Sequence, residues 1–278
     1  MRLYVQRTGV ISRAEDRRTG VSSRAEDRTE RFRLGDSDVL VIHPEHFAAV
    51  AADVLAEALR ARALEKPDEA PVSLALSGGS TPGPVYERLA RTPDVPWSRV
   101  GIYFADERAV PPDDAQSNCR LVRESLLDLL PEPAGAVHRM EAELPDLEAA
   151  AARYERLLPD PIDVLVLGVG EDGHTASLFP GSKNLEEGPR RVAVAQSPLP
   201  PRMRMTITPR VIRTAGRVFV LVRAAAKAKA VALALSGPAD PNACPARLAR
   251  GGLWILDAKA AGSLMRRHVD LSIRKSIS

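Results

Sequence analysis

Apolar residues along this chain fall into two patterns. Short continuous runs at Val39–Ile42, Val72–Leu76, Val100–Ala105, Ile162–Leu167 and Leu253–Leu256 read as strands buried on both faces. Further strands are expected near Val192–Ala195, Met205–Ile207 and Arg217–Val222. Between these runs, apolar positions recur at helical spacing. Pro44–Leu64 carries Phe47, Val50, Val54, Leu55 and Leu59 in this way, and Ser117–Leu130 carries Leu121, Val122, Leu126, Leu127 and Leu130. Helices are also expected over Val85–Ala90, Leu147–Leu158 and Ala224–Leu235. Strands that alternate with helices give an α/β fold: a doubly wound, mostly parallel sheet with helices on both faces, Rossmann-like.

Ligands of such sheets bind beyond the carboxyl ends of the strands, so those ends hold the candidate chemistry. The run ending at Leu167 passes into Gly168-Val169-Gly170-Glu171-Asp172-Gly173-His174. His174 is a candidate base, because a neutral imidazole can take a proton from water and ordinarily titrates at about 6.5. Asp172 either orients that ring or caps the following turn. An inert, hydrogen-bonded histidine is the bland alternative. The glycine spacing formally matches a dinucleotide fingerprint. Glu171 and Asp172 would repel a pyrophosphate there, and no acid-ended strand follows at the required distance, so that reading is rejected. The glycines instead let the chain pass close to a small substrate.

A second loop follows Leu76, with Ser77, Gly78, Gly79, Ser80 and Thr81 leading into a helix that begins near Pro84. Converging N–H groups at a helix start suit an anion such as phosphate. The same residues also suit a capped strand–turn–helix connection, and the sequence leaves both open. A third strand end carries Asp106-Glu107-Arg108, followed by Val110-Pro111 and Ser117-Asn118.

Taken in order, these motifs resemble the 6-phosphogluconolactonase family, within the glucosamine/galactosamine-6-phosphate isomerase superfamily. The resemblance rests on Ser77-Gly-Gly-Ser-Thr-Pro82, on Asp106-Glu-Arg108 with Ser117-Asn118, and on Gly168-x-Gly-x-Asp-Gly-His174-Thr-Ala-Ser-Leu-Phe-Pro180. Pro200-Pro201-x-x-Arg204-Met-Thr206 and Lys227 after a strand complete it, so it spans about Val39 to Leu256. It implies hydrolysis of 6-phospho-D-glucono-1,5-lactone in the oxidative pentose phosphate pathway, with His174 as general base and Asp172 beside it. It further implies substrate or phosphate binding by Ser77, Gly78, Gly79, Ser80, Thr81, Asp106, Arg108, Arg204 and Lys227. No cofactor and no metal are expected, since a lactone is already an activated ester.

Two alternatives differ in class. A glucosamine-6-phosphate deaminase/isomerase would carry an acid five residues after the histidine, where this chain has Phe179, and an aromatic residue after the Asp-Glu pair, where it has Arg108. A non-catalytic sugar-phosphate sensor would not need His174 and Asp172. One departure from the family is Ala224, which stands where glycine is common three residues before the lysine. The arginine motif fits only if Arg204, not Arg202, is its residue.

Composition changes the picture little. The chain has 278 residues, 45% hydrophobic and 27% charged, with a net charge of +3. No basic stripe with interleaved aromatics suggests nucleic acid. No apolar run suggests a membrane span. Cys119 and Cys244 do not form a disulfide framework, and a cytoplasmic enzyme is expected, monomer or homodimer. Residues 1–33 read as a disordered extension, because Arg7–Arg17 recurs as Arg18–Arg28 and is poor in apolar residues. Residues 34–264 are expected to form a single α/β domain and 265–278 a loose tail.

Overall fold

The structure is a computed structural model that describes residues 29–186 and 188–264. Its elements run β1 (Glu30–Leu34), β2 (Ser37–Ile42), α1 (Phe47–Glu65), β3 (Val72–Leu76), α2 (Pro82–Ala90), β4 (Val100–Phe104), β5 (Asp106–Arg108), α3 (Asn118–Ser125) and β6 (Ala136–Val137). Then follow α4 (Leu147–Leu157), β7 (Val164–Gly168), β8 (Val192–Gln196), β9 (Met203–Ile207), α5 (Pro209–Thr214), β10 (Arg217–Val222), α6 (Ala228–Ser236) and β11 (Leu253–Asp257).

The main sheet has the order β1-β2-β11-β10-β7-β3-β4-β6. Its strands pair parallel throughout, except for the β1–β2 hairpin. Every residue of β3 and of β4 is buried, so both faces of the sheet are covered. Chain order runs outward from β3 through β4 to β6, and outward the other way from β7 through β10 to β11. The topological switch point therefore lies between β3 and β7. Ligands of such sheets bind beyond the strand ends at that point; here the Ser77 loop follows β3 and the His174 loop follows β7.

Three expectations need correction. First, Glu30–Arg33, assigned to the extension, belong to β1. Phe32 and Leu34 point into the core while Arg31 and Arg33 face out, an alternation carried by two apolar residues and easily overlooked. The repeat and the residues beyond Leu264 lie outside the described residues. Second, the strands near Val192 and Met205 do not join the parallel sheet. They form a separate antiparallel sheet of order β5-β9-β8. The peptide of Ala105 joins the two sheets: its N–H donates to Leu76 O and its carbonyl accepts from Ile207 N–H, both at 2.8 Å. Third, the helix expected over Ser117–Leu130 ends at Ser125 and is followed by a separate 3-10 turn at Leu127–Leu129.

Candidate active site

The turn after β7 holds His174 and Asp172 in direct contact. His174 Nδ1 lies 2.6 Å from Asp172 Oδ1, and the His174 backbone N–H donates to the same oxygen at 3.1 Å. A carboxylate only accepts, so in the neutral imidazole the ring proton sits on Nδ1 and Nε2 carries the lone pair. Burial alone would raise the Asp172 pKa. The hydrogen bonds from the His174 ring and backbone outweigh that and hold it below the ordinary carboxylate range. Both side chains remain partly open to solvent, at 34% and 43%. The Phe179 ring sits 4.9 Å from the imidazole, tilted by 46°.

The small sheet supplies the cations. Arg108 on β5 stands directly opposite Arg204 on β9, and Asp106 stands opposite Thr206. Side chains two apart share a face, so both pairs lie on the face that meets the His174 turn. Contact is direct: Ser177 Oγ donates to Asp106 Oδ2 at 2.6 Å, and Ser177 N–H donates to Thr206 Oγ1 at 3.1 Å. Like charges opposite one another destabilise a strand pair. Among the described residues neither arginine makes a salt bridge. Burial first, then Arg108, pushes the Arg204 guanidinium down from its usual pKa. Such a pair favours an anion between its members.

Lys227 lies at the N-terminus of α6, where the helix dipole disfavours a cation. Burial lowers its pKa, against the opposing pull of Glu171 in the histidine loop. Ala224 precedes it at φ 84° and ψ 143°, a backbone region suited to glycine.

In the Ser77 loop, Gly79 takes φ 105° and α2 starts at Pro82 with no side-chain cap from Thr81. Ser77 and Thr81 are buried, and among the described residues Ser77 Oγ has no hydrogen-bond partner. The next motif is inward-facing. The Glu107 carboxylate is buried and accepts from the N–H groups of Arg108, Asn118 and Cys119 and from Ser117 Oγ, capping α3. Burial raises its pKa despite those donors.

The sequence reading overlooked several residues here. A cavity of about 780 Å³ opens beside Asp172 and Phe179, and its wall includes Lys183, Gln196 and Arg202. Arg202, set aside in favour of Arg204, faces this cavity. Cys244 braces the Gly173 turn, with Ala246 N–H donating to Gly173 O at 2.8 Å. No sequence signal ties those segments together.

Residues 43–255 match the family described as glucosamine-6-phosphate isomerases/6-phosphogluconolactonase. A 6-phosphogluconolactonase of Streptomyces coelicolor is 36% identical over 260 residues, which cover 84% of this chain and 97% of that protein. One of Mycobacterium tuberculosis is 38% identical over 247 residues, covering 82% and 96%. The crystal structure of 6-phosphogluconolactonase from Thermotoga maritima superposes with a TM-score of 0.70 at 30% identity, covering 80% of this chain and 99% of that one.

Proposed function

Because the chain belongs to the glucosamine-6-phosphate isomerase/6-phosphogluconolactonase family, we infer that it hydrolyses 6-phospho-D-glucono-1,5-lactone to 6-phosphogluconate, and we propose His174 as the general base. The observation that carries the role of His174 is its bond to Asp172, which leaves Nε2 as the only ring atom able to accept a proton.

In this reading Nε2 takes a proton from water as the water oxygen bonds to C1 of the lactone. The carbonyl oxygen gains charge, and nearby N–H and cationic groups stabilise it. The C1–ring oxygen bond then breaks, and His174 returns the proton to that oxygen as it leaves. Asp172 stabilises the imidazolium formed between the two steps. The substrate phosphate docks on the Ser77–Thr81 loop and the α2 N-terminus, with Arg108, Arg204 and Lys227 supplying positive charge. The arginine pair and the half-buried lysine support this assignment, since among the described residues none of the three makes a salt bridge. Phe179 also favours the lactonase over the deaminase, because an apolar ring beside the imidazole offers no second acid for isomerisation.

A reducing cytoplasm is the proposed setting, supported by the free thiols of Cys119 and Cys244. Among the described residues no helix is long and apolar enough to cross a membrane.

Turnover of freshly generated 6-phosphogluconolactone, corrected for spontaneous opening, tests the reading against glucosamine 6-phosphate. His174→Ala should lower kcat by ~10²–10⁴-fold and leave product binding nearly intact. A variant that keeps most of its activity would remove His174 from the mechanism.

A further inference from the structure

Asp106 carries a family motif and was expected to touch substrate, yet both of its oxygens are engaged by the protein. Oδ2 accepts from Ser177 Oγ at 2.6 Å, and Oδ1 accepts from Asn118 Nδ2 at 3.0 Å. The Asp106 carbonyl accepts from the same Asn118 amide at 2.8 Å. Ser177, Asn118 and Asp106 are 0%, 1% and 6% exposed. Each of the three belongs to a different strand end or helix start.

The orientation of Asn118 is fixed. Its Nδ2 faces two acceptors, so the amide cannot be turned round, and Oδ1 must point the other way. There it meets the glycine-rich loop: a Cβ added at Gly78 would lie 1.8 Å from Asn118 Oδ1. Among the described residues that oxygen has no hydrogen-bond donor, so it acts as a buried stop against the Gly78 Cα. On the opposite side, Ser177 ends a turn in which Ala176 takes φ 47°, a left-handed conformation uncommon for a residue with a side chain. Such strain persists only where surrounding bonds over-determine it. Here Thr175 Oγ1 donates to Gly168 O at 2.8 Å, and Ser177 donates to both Thr206 and Asp106.

We propose that Ser177, Asp106 and Asn118 form a buried spine that sets the separation of His174 from the Ser77–Thr81 loop. The three are positioning residues, acting through the base and the anion loop rather than on the substrate. Glu107 anchors the spine by capping α3 at Asn118 and Cys119. The role follows from the chemistry of a ligand held at two ends. If the loop holds the phosphate and His174 works at the lactone carbonyl, their spacing must match the length of the sugar. A misplacement of about 1 Å is worth ~10²-fold in rate.

This proposal deepens the lactonase reading and rests on it. Its test uses the full chain. Ser177→Ala removes one oxygen, and Asn118→Ala removes the amide on the other side of the carboxylate. Each should lower kcat by ~10–10²-fold with much smaller changes in KM. The double variant should fall little further than the worse single one, because both act on one carboxylate. Amide exchange at Gly170, whose N–H donates to His174 O, should accelerate in Ser177→Ala. A raised KM with kcat intact would make these residues ligands and overturn the spine. Unchanged kcat, losses that multiply, or loss of cooperative folding in both single variants would also overturn it. A wild type inert on the lactone would instead defeat the lactonase reading. Gly170 exchange would then still decide the spine: faster exchange in Ser177→Ala supports it, and unchanged exchange refutes it.

Discussion

Replacing Ala224 with glycine should stabilise this protein. Ala224 sits at φ 84° and ψ 143°, between β10 and the turn that carries Lys227. An L side chain there meets its own backbone, at a cost of ~1–3 kcal/mol. The conformation is held from outside: Ala224 N–H donates to both oxygens of Asp257 at 3.2 and 3.1 Å, and Ala224 O accepts from Lys227 N–H at 3.2 Å. Glycine keeps all of these bonds. The alanine methyl is exposed, so its removal gives up almost no burial. Against the gain stands the greater freedom of glycine in the unfolded chain, ~0.4–1 kcal/mol. The difference is centred near +1 kcal/mol, which for a chain of this size raises Tm by ~2–4 °C.

Differential scanning calorimetry of Ala224→Gly beside Ala226→Gly gives a control of opposite sign. Ala226 lies in the same 3-10 turn but not in the positive-φ region. Glycine there brings only the entropy penalty, ~0.5–1 kcal/mol. Activity should be unchanged in Ala224→Gly, since Lys227 keeps its place. If both variants lower Tm alike, the strain argument is wrong.

Two further outcomes follow from the same structure. Arg204→Met or Lys227→Met should weaken binding of 6-phosphogluconate by ~10- to 150-fold and of gluconate far less, by isothermal titration, with non-additive losses in the pair; equal losses for both ligands would place the phosphate elsewhere. At the opposite end of the sheet, Asp163 accepts from Lys66, from Arg62 Nε at 2.8 Å, and from Ser73 N–H and Oγ at 2.8 and 2.9 Å. Burial would raise its pKa, but these bonds outweigh burial and lower it. A depressed carboxylate contributes stability above its unfolded value of ~3.9 and loses that contribution as pH falls through the folded value. Asp163→Asn should therefore cost ~1.5–3 kcal/mol at neutral pH. The gap between its urea midpoint and that of wild type should begin to shrink below pH ~3.9 and close as pH falls through the lower folded value; a gap that stays constant down to full protonation would contradict the assignment.

The parallel sheet was legible because its strands are continuous apolar runs. His174 was legible because a strand end in such a sheet is where chemistry sits. The second sheet was hidden for a physical reason: β5 is three residues long, two of them carboxylates, and no hydrophobic period exists over that length. The Asp106–Ser177 bond was hidden because it joins positions 71 apart, beyond any local pattern. The glycines teach a finer point. Those of the histidine loop were read as clearance for a substrate, and Gly78 as letting N–H groups converge on an anion; a Cβ at Gly170 would meet His174 Nδ1 at 2.1 Å, and one at Gly78 would meet Asn118 Oδ1 at 1.8 Å. Both positions make room for the protein's own side chains, the base at one and the spine at the other. At these two positions the space a glycine leaves is taken by the groups that position a ligand, so substituting Gly170 or Gly78 would displace His174 or Asn118 before any substrate arrived.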